Sequence, residues 1–138
     1  MPAQYPSDRR PLSVDVTSNK TLTAADSGIV QNVIADAIVI TLPSTANGLT
    51  YTVRNGGKPV TNGPAGSGSN GTVLVSLSPA AADGFTGGFT GTPTVNKDLL
   101  NTKATSLVGD YVTVTGTGTA GVTGWIVTEA TGTWVRES

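Results

Sequence analysis

The sequence predicts an all-β fold, a compact antiparallel β-sandwich or barrel with long glycine-rich loops and an extended N-terminal arm. From Ser13 onward, short runs of Val, Ile, Thr and Tyr alternate with polar residues and are separated by Gly, Asn and Pro, the pattern of strands and turns. No segment has the apolar spacing of a helix. The composition agrees, because 23 Thr and 18 Gly replace ion pairs at the surface, and only 12% of the residues are charged where about 25% is usual.

Residues 1–12 are predicted to form the arm, and residues 13–138 a single β domain. Prolines at positions 2, 6 and 11 stiffen the first dozen residues and keep them out of the centre of a sheet. The remaining length matches one domain of roughly 100–150 residues. The arm carries Tyr5, Arg9 and Arg10, residue types that often dominate protein interfaces, so we expect it to bind a partner. A disordered tail is the alternative.

Nine strands are predicted from the alternation. They are residues 12–16, 20–23, 29–34, 37–42, 50–55, 72–77, 111–115, 125–128 and 133–136. Apolar residues at every second position mark the face that points to the core. They are Ile38, Ile40, Leu42, Tyr51, Val53, Val73, Val75, Leu77, Val112 and Val114. Threonines occupy much of the opposite faces, as expected of an antiparallel sheet that is wet on one side.

Between the strands we expect two irregular regions, one helical turn and a further hairpin. Residues 55–71 are predicted to form a long hairpin loop, residues 79–95 an Ω-type loop, and residues 98–105 a single helical turn. The segment GTGTAG at residues 116–121 superficially matches a dinucleotide-binding motif. Because it follows a strand without opening a helix, it is predicted to be a hairpin loop instead.

Four aromatic residues are the candidates for a subunit interface: Phe85, Phe89, Trp125 and Trp134. Phe85 and Phe89 lie four apart among glycines, where they either plug one end of the core or form a docking knob. Trp125 and Trp134 lie on successive predicted strands. Packing in the core or on a trimer axis is the favoured interpretation, and stacking on sugar rings, as in a carbohydrate-binding module, is the alternative.

The composition excludes most enzyme chemistry. Histidine and cysteine are absent, which removes the imidazole base, thiolate nucleophiles, disulfides and nearly all zinc or iron sites. The remaining candidates are the acids Asp83, Asp98, Asp110 and Glu129, because a glycosidase needs two carboxylates across a cleft. Asp83 and Asp110 adjoin glycines at turns, and Asp98 lies at a predicted helix start, so structural roles explain them better. We therefore expect no enzyme activity, cofactor or metal.

Charge and hydropathy restrict the partners. The net charge is −1, which provides no basic field for phosphates, so nucleic acid is not expected as a partner. The most apolar window, residues 33–42, is much shorter than the roughly 20 residues needed to span a bilayer. Residues 1–12 contain no apolar signal-peptide core, so the protein is expected to remain in the cytoplasm where it is made.

Seven short segments carry a resemblance to a known family. They are LTAADSG (residues 22–28), ITLP (40–43), YTV (51–53), SPAAADG (78–84), NTKAT (101–105), GDYV (109–112) and GW (124–125). Together they resemble small structural proteins of tailed-bacteriophage virions, especially head decoration (capsid cement) proteins. The segments LTxxDSG, TLP and YTV are also similar to β-modules of phage tail fibres. The likeness spans residues 22–134 and includes no active-site residues.

The resemblance implies a protein that binds the outside of an assembled head, as a homotrimer, and clamps neighbouring major capsid subunits. Its expected partners are the major capsid protein and other copies of itself, and its expected location is the outer surface of the virion capsid after synthesis in the host cytoplasm. Tyr5, Arg9 and Arg10 are the expected capsid-binding residues. A tail-fibre or receptor/carbohydrate-binding β-module is the alternative function.

Overall fold

The computed structural model describes residues 12–58, 73–87 and 92–138. In these ranges the chain forms β-strands and a single 3-10 turn, Ala24–Asp26. The strands, numbered in chain order, are β1 Ser13–Val16, β2 Lys20–Thr21, β3 Val30–Val33, β4 Ile38–Thr41, β5 Thr50–Asn55, β6 Val75–Ser78, β7 Asp83–Thr86, β8 Leu99–Asn101, β9 Tyr111–Gly116, β10 Gly121–Thr131 and β11 Val135–Arg136. The predicted all-β fold is confirmed.

Two β-sheets pack against each other and enclose the core. The larger sheet has the order β1-β3-β5-β9-β10-β7, and the smaller has the order β11-β8-β6-β4-β2. The buried apolar side chains of both sheets form one continuous cluster. The molecule is therefore a β-sandwich, as the sequence predicts.

The first half of the chain winds around this core in parallel coils. β1, β3 and β5 pair parallel in the larger sheet, whereas β2, β4 and β6 pair parallel in the smaller one. Successive strands thus alternate between the sheets, as in a β-solenoid. Antiparallel pairing joins β5 to β9, β9 to β10, β6 to β8 and β8 to β11, and β10 pairs parallel with β7. The predicted antiparallel pairing is therefore wrong within β1-β3-β5, within β2-β4-β6 and between β7 and β10, and correct for the other strand pairs.

Side chains alternate between the core and the surface as predicted. Tyr51 and Val53 of β5 have no exposed surface, while Thr52, between them, faces outward. The Thr52 and Thr113 hydroxyls lie 2.7 Å apart across the β5–β9 pair and form one hydrogen bond. All ten predicted core residues are buried. The alternation therefore identified the buried face correctly.

Two strands lie where the sequence predicts irregular structure. The predicted Ω-type loop at residues 79–95 contains β7, and Gly84 in this strand leaves no space for a side chain beside the backbone of Thr94. The predicted helical turn at residues 98–105 is instead β8, which pairs with both β6 and β11. A turn follows it, with Ser106 N–H donating to the Thr102 carbonyl at 2.9 Å.

The two predicted hairpins differ in outcome. Residues 116–121 connect β9 to its antiparallel neighbour β10, so this hairpin is confirmed. Residues 55–71 connect β5 in the larger sheet to β6 in the smaller one, so these strands do not form a hairpin. Most of this connection, and the arm before Leu12, lie outside the described residues.

Candidate binding surface

Three polar side chains are buried together where β5 and β8 end and β9 begins: Asn55, Asn101 and Asp110. Asn55 Nδ2 donates to Asn101 Oδ1 at 2.8 Å and to the Val73 carbonyl at 2.8 Å. Asn101 Nδ2 donates to Asp110 Oδ2 at 3.1 Å and to the Thr133 carbonyl at 3.0 Å. We call Asn55, Asn101 and Asp110 the polar network. Its mutual hydrogen bonds replace the water that the three side chains lose on burial.

Gly132 packs against Asp110 at one side of the polar network. A methyl group at this position would overlap the Asp110 carboxylate, and the backbone φ of +87° already favours glycine. On the other side, Asn55 Oδ1 accepts a hydrogen bond from Gly57 N–H at 3.1 Å. The three side chains are therefore enclosed by backbone.

The polar network fixes the turn that leads into β9. Leu107 N–H donates to Asp110 Oδ2 at 2.9 Å, and Asp110 N–H donates back to the Leu107 carbonyl at 3.0 Å. Gly109 N–H donates to the Asn55 carbonyl at 2.8 Å. Gly109 has φ +103°, as the third residue of a type II turn requires. Side-chain and backbone hydrogen bonds thus hold this turn in one conformation.

The turn presents two large apolar side chains to solvent. Leu107 is 69% exposed and Val108 is 50% exposed. Tyr111 follows in β9, and its register partner Arg54 precedes Asn55 in β5; both are half-buried on the outer face of the larger sheet. Lys58, beyond Asn55, is exposed. We call Leu107 and Val108 the turn surface.

Arg54 is oriented by a row of polar side chains across the sheet. Its Nε donates to Asn32 Oδ1 at 2.8 Å, and Asn32 Nδ2 donates to Asp15 Oδ1 at 3.0 Å. Arg54 makes no ion pair, because in the described part of the chain Lys103 and Asp36 form the single salt bridge. The Arg54 side chain is therefore directed toward β3 and β1, on the side of β5 opposite to β9.

Two of the acids considered for catalysis have structural roles. Asp83 is buried and accepts a hydrogen bond from Thr45 N–H at 2.8 Å, as Asp110 does from Leu107. The register of β10 with β7 and β9 places Asp83 and Asp110 at opposite ends of the sandwich, so they do not face each other across a cleft. The interpretation as a residue that caps its own turn is confirmed for Asp110. It is wrong for Asp83, which begins β7 and whose carboxylate bonds the backbone of the distant Thr45.

Asp98 directly precedes β8 and does not begin a helix. Its N–H donates to Glu137 Oε1 at 3.1 Å. Burial raises the pKa of the Asp98 carboxyl, a hydrogen bond with Ser78 opposes this shift, and the negative charge of Glu137 adds to it. Glu129 is exposed on β10. The four candidate acids are therefore not gathered into one site.

The aromatic residues proposed for a subunit interface lie in the core of their own chain. Phe85 and Trp125 have no exposed surface, and Trp134 is 6% exposed. Trp125 packs on Tyr51 with ring centroids 5.6 Å apart, and Trp134 Nε1 donates to the Thr131 carbonyl at 3.1 Å. Core packing of the tryptophans is confirmed. The interface assignment is corrected for these three residues, because a buried ring can neither contact a second subunit nor stack on a sugar.

The other predicted site residues lie outside the described part of the chain. They are Tyr5, Arg9, Arg10 and Phe89. The sequence reasoning missed Leu107 and Val108. The available signal was two consecutive large apolar residues, without strand alternation, directly before the Gly-Asp pair of a turn.

No described group of three or more His, Cys, Asp or Glu residues could hold a metal ion. Among residues 12–58, 73–87 and 92–138, no helix has the length and apolar character needed to cross a membrane. A scan against protein-family models and a search of curated proteins gave no match.

Proposed function

We propose that the protein is a structural component of a tailed-bacteriophage virion, a head decoration protein that binds the outside of the capsid. It stabilises contacts between major capsid subunits and has no catalytic role. Two lines of reasoning support this proposal: the resemblance carried by segments such as residues 22–28 and 40–43, and the binding surface that the sandwich presents.

The single observation that carries the proposal is that the Asp110 carboxylate has a structural role. This carboxylate is 4% exposed and accepts hydrogen bonds from Asn101 and Leu107. A catalytic carboxylate must reach its substrate, whereas this one holds a turn that exposes Leu107 and Val108. Exposed apolar side chains on an ordered turn are typical of a surface that binds another protein.

Binding of the protein would stabilise the head, because binding is thermodynamically linked to the assembled state. A protein that binds only the assembled arrangement of capsid subunits adds its binding free energy to the stability of that arrangement. If three copies act as one unit, the second and third interfaces form at high effective concentration, so each can be weak. In this proposal the partners are the major capsid protein and other copies of the chain. Tyr5, Arg9 and Arg10 of the arm contribute to the capsid contact.

Sedimentation with undecorated heads of the phage that encodes the chain tests the proposal. The full chain is expected to pellet with the heads up to a saturating number of copies, and to raise the temperature at which the heads open. A variant lacking residues 2–11 is expected to lose this attachment, because it lacks all three arm residues named above. Circular dichroism of the variant checks that the β domain remains folded.

Two results would contradict the proposal. The full chain could remain in the supernatant with heads that are shown to be intact and undecorated. Alternatively, it could hydrolyse a chromogenic glycoside with an activity that disappears in Asp110→Asn. Retained attachment of the variant without residues 2–11 would overturn the role of the arm only.

One observation favours a second function, a tail-fibre or receptor/carbohydrate-binding module. β1 and β2 are edge strands of their sheets, so each has an edge that pairs with no described strand and could receive a further coil. Parallel sedimentation with isolated tails and with host cells separates this function from head binding. Sugar stacking on Trp125 and Trp134 is not part of it, since both rings are buried.

A further inference from the structure

We infer that Asn47 is a site of spontaneous chemical modification, at which the side-chain amide is converted to aspartate or isoaspartate. Asparagine is one of the thermolabile residue types of proteins. It is most reactive when glycine follows it, because glycine places no side chain in the path of the attacking backbone nitrogen. The described residues contain two such pairs, Asn47-Gly48 and Asn55-Gly56. Their surroundings differ so strongly that we expect only the first pair to react in the folded chain.

The reaction is an internal displacement followed by hydrolysis. The Gly48 backbone nitrogen, after losing its proton, attacks Cγ of Asn47 and closes a succinimide ring, while the side-chain nitrogen takes up a proton and leaves as ammonia. Water then opens the ring at one of its two carbonyl carbons. Cleavage between Cγ and the Gly48 nitrogen gives aspartate. Cleavage between the backbone carbonyl carbon and that nitrogen gives isoaspartate, in which the main chain runs through the side chain.

The surroundings of Asn47 leave this reaction open. Asn47 and Gly48 are both exposed, in the turn that precedes β5. The Asn47 side chain forms no hydrogen bond with another described residue. Gly48 N–H donates to the Gly116 carbonyl at 3.2 Å, longer than the usual value of about 2.9–3.0 Å. A Cβ at position 48 would have open space around it. The nitrogen can therefore approach Cγ once a single long hydrogen bond is released.

The surroundings of Asn55 block the same reaction. The Asn55 side chain has no exposed surface, and its Nδ2 donates to the Val73 carbonyl and to Asn101 Oδ1, each at 2.8 Å. The attacking nitrogen is also engaged, because Gly56 N–H donates to the Val33 carbonyl at 2.8 Å. Reaction at Asn55 requires a local opening that breaks all three bonds, so its rate is reduced by the small population of the opened state.

Modification of Asn47 would alter the contact between its turn and the hairpin at residues 116–121. Gly48 N–H bonds to the Gly116 carbonyl, and Leu49 N–H donates to the Ala46 carbonyl at 3.3 Å. Isoaspartate lengthens the main chain by one carbon between these bonds and adds a negative charge. We therefore expect both hydrogen bonds to weaken, so that the turn and the hairpin open more often.

The test incubates the purified full chain in mildly alkaline buffer and follows each asparagine by peptide mass spectrometry. Fragmentation assigns the modified residue and separates it from Asn62-Gly63 and Asn70-Gly71, which lie outside the described residues. In the folded chain, Asn47 is expected to react at least about tenfold faster than Asn55, because only Asn55 needs a local opening. In urea that unfolds the chain, the two rates are expected to be similar, since both residues precede glycine.

A matched variant and a chemical probe identify the product. An isoaspartate methyltransferase is expected to transfer a labelled methyl group to the peptide that contains residue 47 of the incubated chain. Asn47→Gln is expected to abolish this label, because the longer side chain closes a ring far more slowly. Amide hydrogen exchange at residues 45–49 and 116–121 is expected to become faster in the incubated chain and to stay unchanged in the incubated variant.

Three results would contradict these expectations. Equal rates at Asn47 and Asn55 in the folded chain would overturn the assignment of the site. It would also be overturned if Asn47 stayed intact while the unfolded chain reacted. Unchanged hydrogen exchange in a sample that carries isoaspartate would show that the contact with the hairpin is not affected. Every sample is the isolated protein, so none of these results depends on whether the chain binds phage heads.

Discussion

A buried carboxylate is tolerated only when hydrogen-bond donors replace its water. Asp110 meets this condition through Asn101 Nδ2 and Leu107 N–H, and the backbone at Gly132 packs against the carboxylate. This packing explains why residue 132 carries no side chain. Substitution at a glycine that is distant from the turn in sequence can therefore change the conformation of the turn.

Gly132→Ala is expected to destabilise the protein by roughly 3 kcal/mol, combining backbone strain at positive φ with displacement of Asp110. Gly48→Ala is the matched control, because Gly48 has φ +89° but open space around the position of a Cβ. The control should lose only about 1 kcal/mol. Urea denaturation measures both free energies of unfolding. Equal losses in the two variants would show that the contact with Asp110 does not matter.

The raised pKa of Asp98 has a defined consequence for stability. Burial is the main cause, and the Glu137 charge contributes, while the hydrogen bond with Ser78 opposes the shift. The folded chain then binds the proton more tightly than the unfolded chain, so stability is lost as pH rises from the ordinary Asp value of 3.8 through the folded pKa. Asp98→Asn is expected to raise the melting temperature at neutral pH, with the gain disappearing below pH 3.8.

Asp36 provides a control in the same melting experiments, because its pKa is shifted in the opposite direction to that of Asp98. Its pKa is lowered, first by the Leu74 N–H and then by Lys103. Its contribution to stability is therefore present above the ordinary value of 3.8 and is lost as pH falls through the folded pKa. Asp36→Asn should be slightly less stable at neutral pH, and equal to the unchanged protein in strong acid. If both variants changed the melting temperature at neutral pH in the same direction, the directions assigned to the two pKa shifts would be contradicted.

At the scale of single elements, the sequence predicted strands well where side chains alternate. β5 and β9 were found with nearly correct bounds, because Thr and apolar residues alternate along both. β7 was missed because it begins Asp-Gly, which resembles a turn, although Gly84 is there to let backbone approach closely. β8 is only three residues long, so its Leu-Leu-Asn sequence contains no full alternation.

The strand order predicts which elements open first. β5 and β9 are central in the larger sheet, with neighbours on both sides, whereas β1 and β2 are short edge strands. Amide hydrogen exchange is expected to be slowest in β5 and β9 and much faster in β1 and β2. Mass spectrometry of exchanging peptides, or NMR of single amides, measures this difference. Equal protection in β1 and β5 would indicate that the whole sandwich opens as one unit.

At the scale of the molecule, the sequence could predict two packed sheets but not how the strands pair. A half-buried strand shows the same alternation whether its neighbour runs parallel or antiparallel. Parallel sheets are usually covered on both faces, so the threonine-rich outer faces favoured antiparallel pairing. The polar network could not be predicted for a related reason: Asn55, Asn101 and Asp110 are far apart in the chain, and their meeting depends on how the strands pair.

The scarcity of ion pairs in the described chain has a consequence for how the fold responds to dissolved salt. In the described chain one salt bridge, Lys103–Asp36, lies on the surface, and the remaining cohesion comes from apolar burial and from hydrogen bonds, most of which join uncharged groups. Dissolved ions screen charge pairs strongly and neutral contacts hardly at all. Transfer from dilute buffer into concentrated salt should therefore leave this fold almost as stable as before.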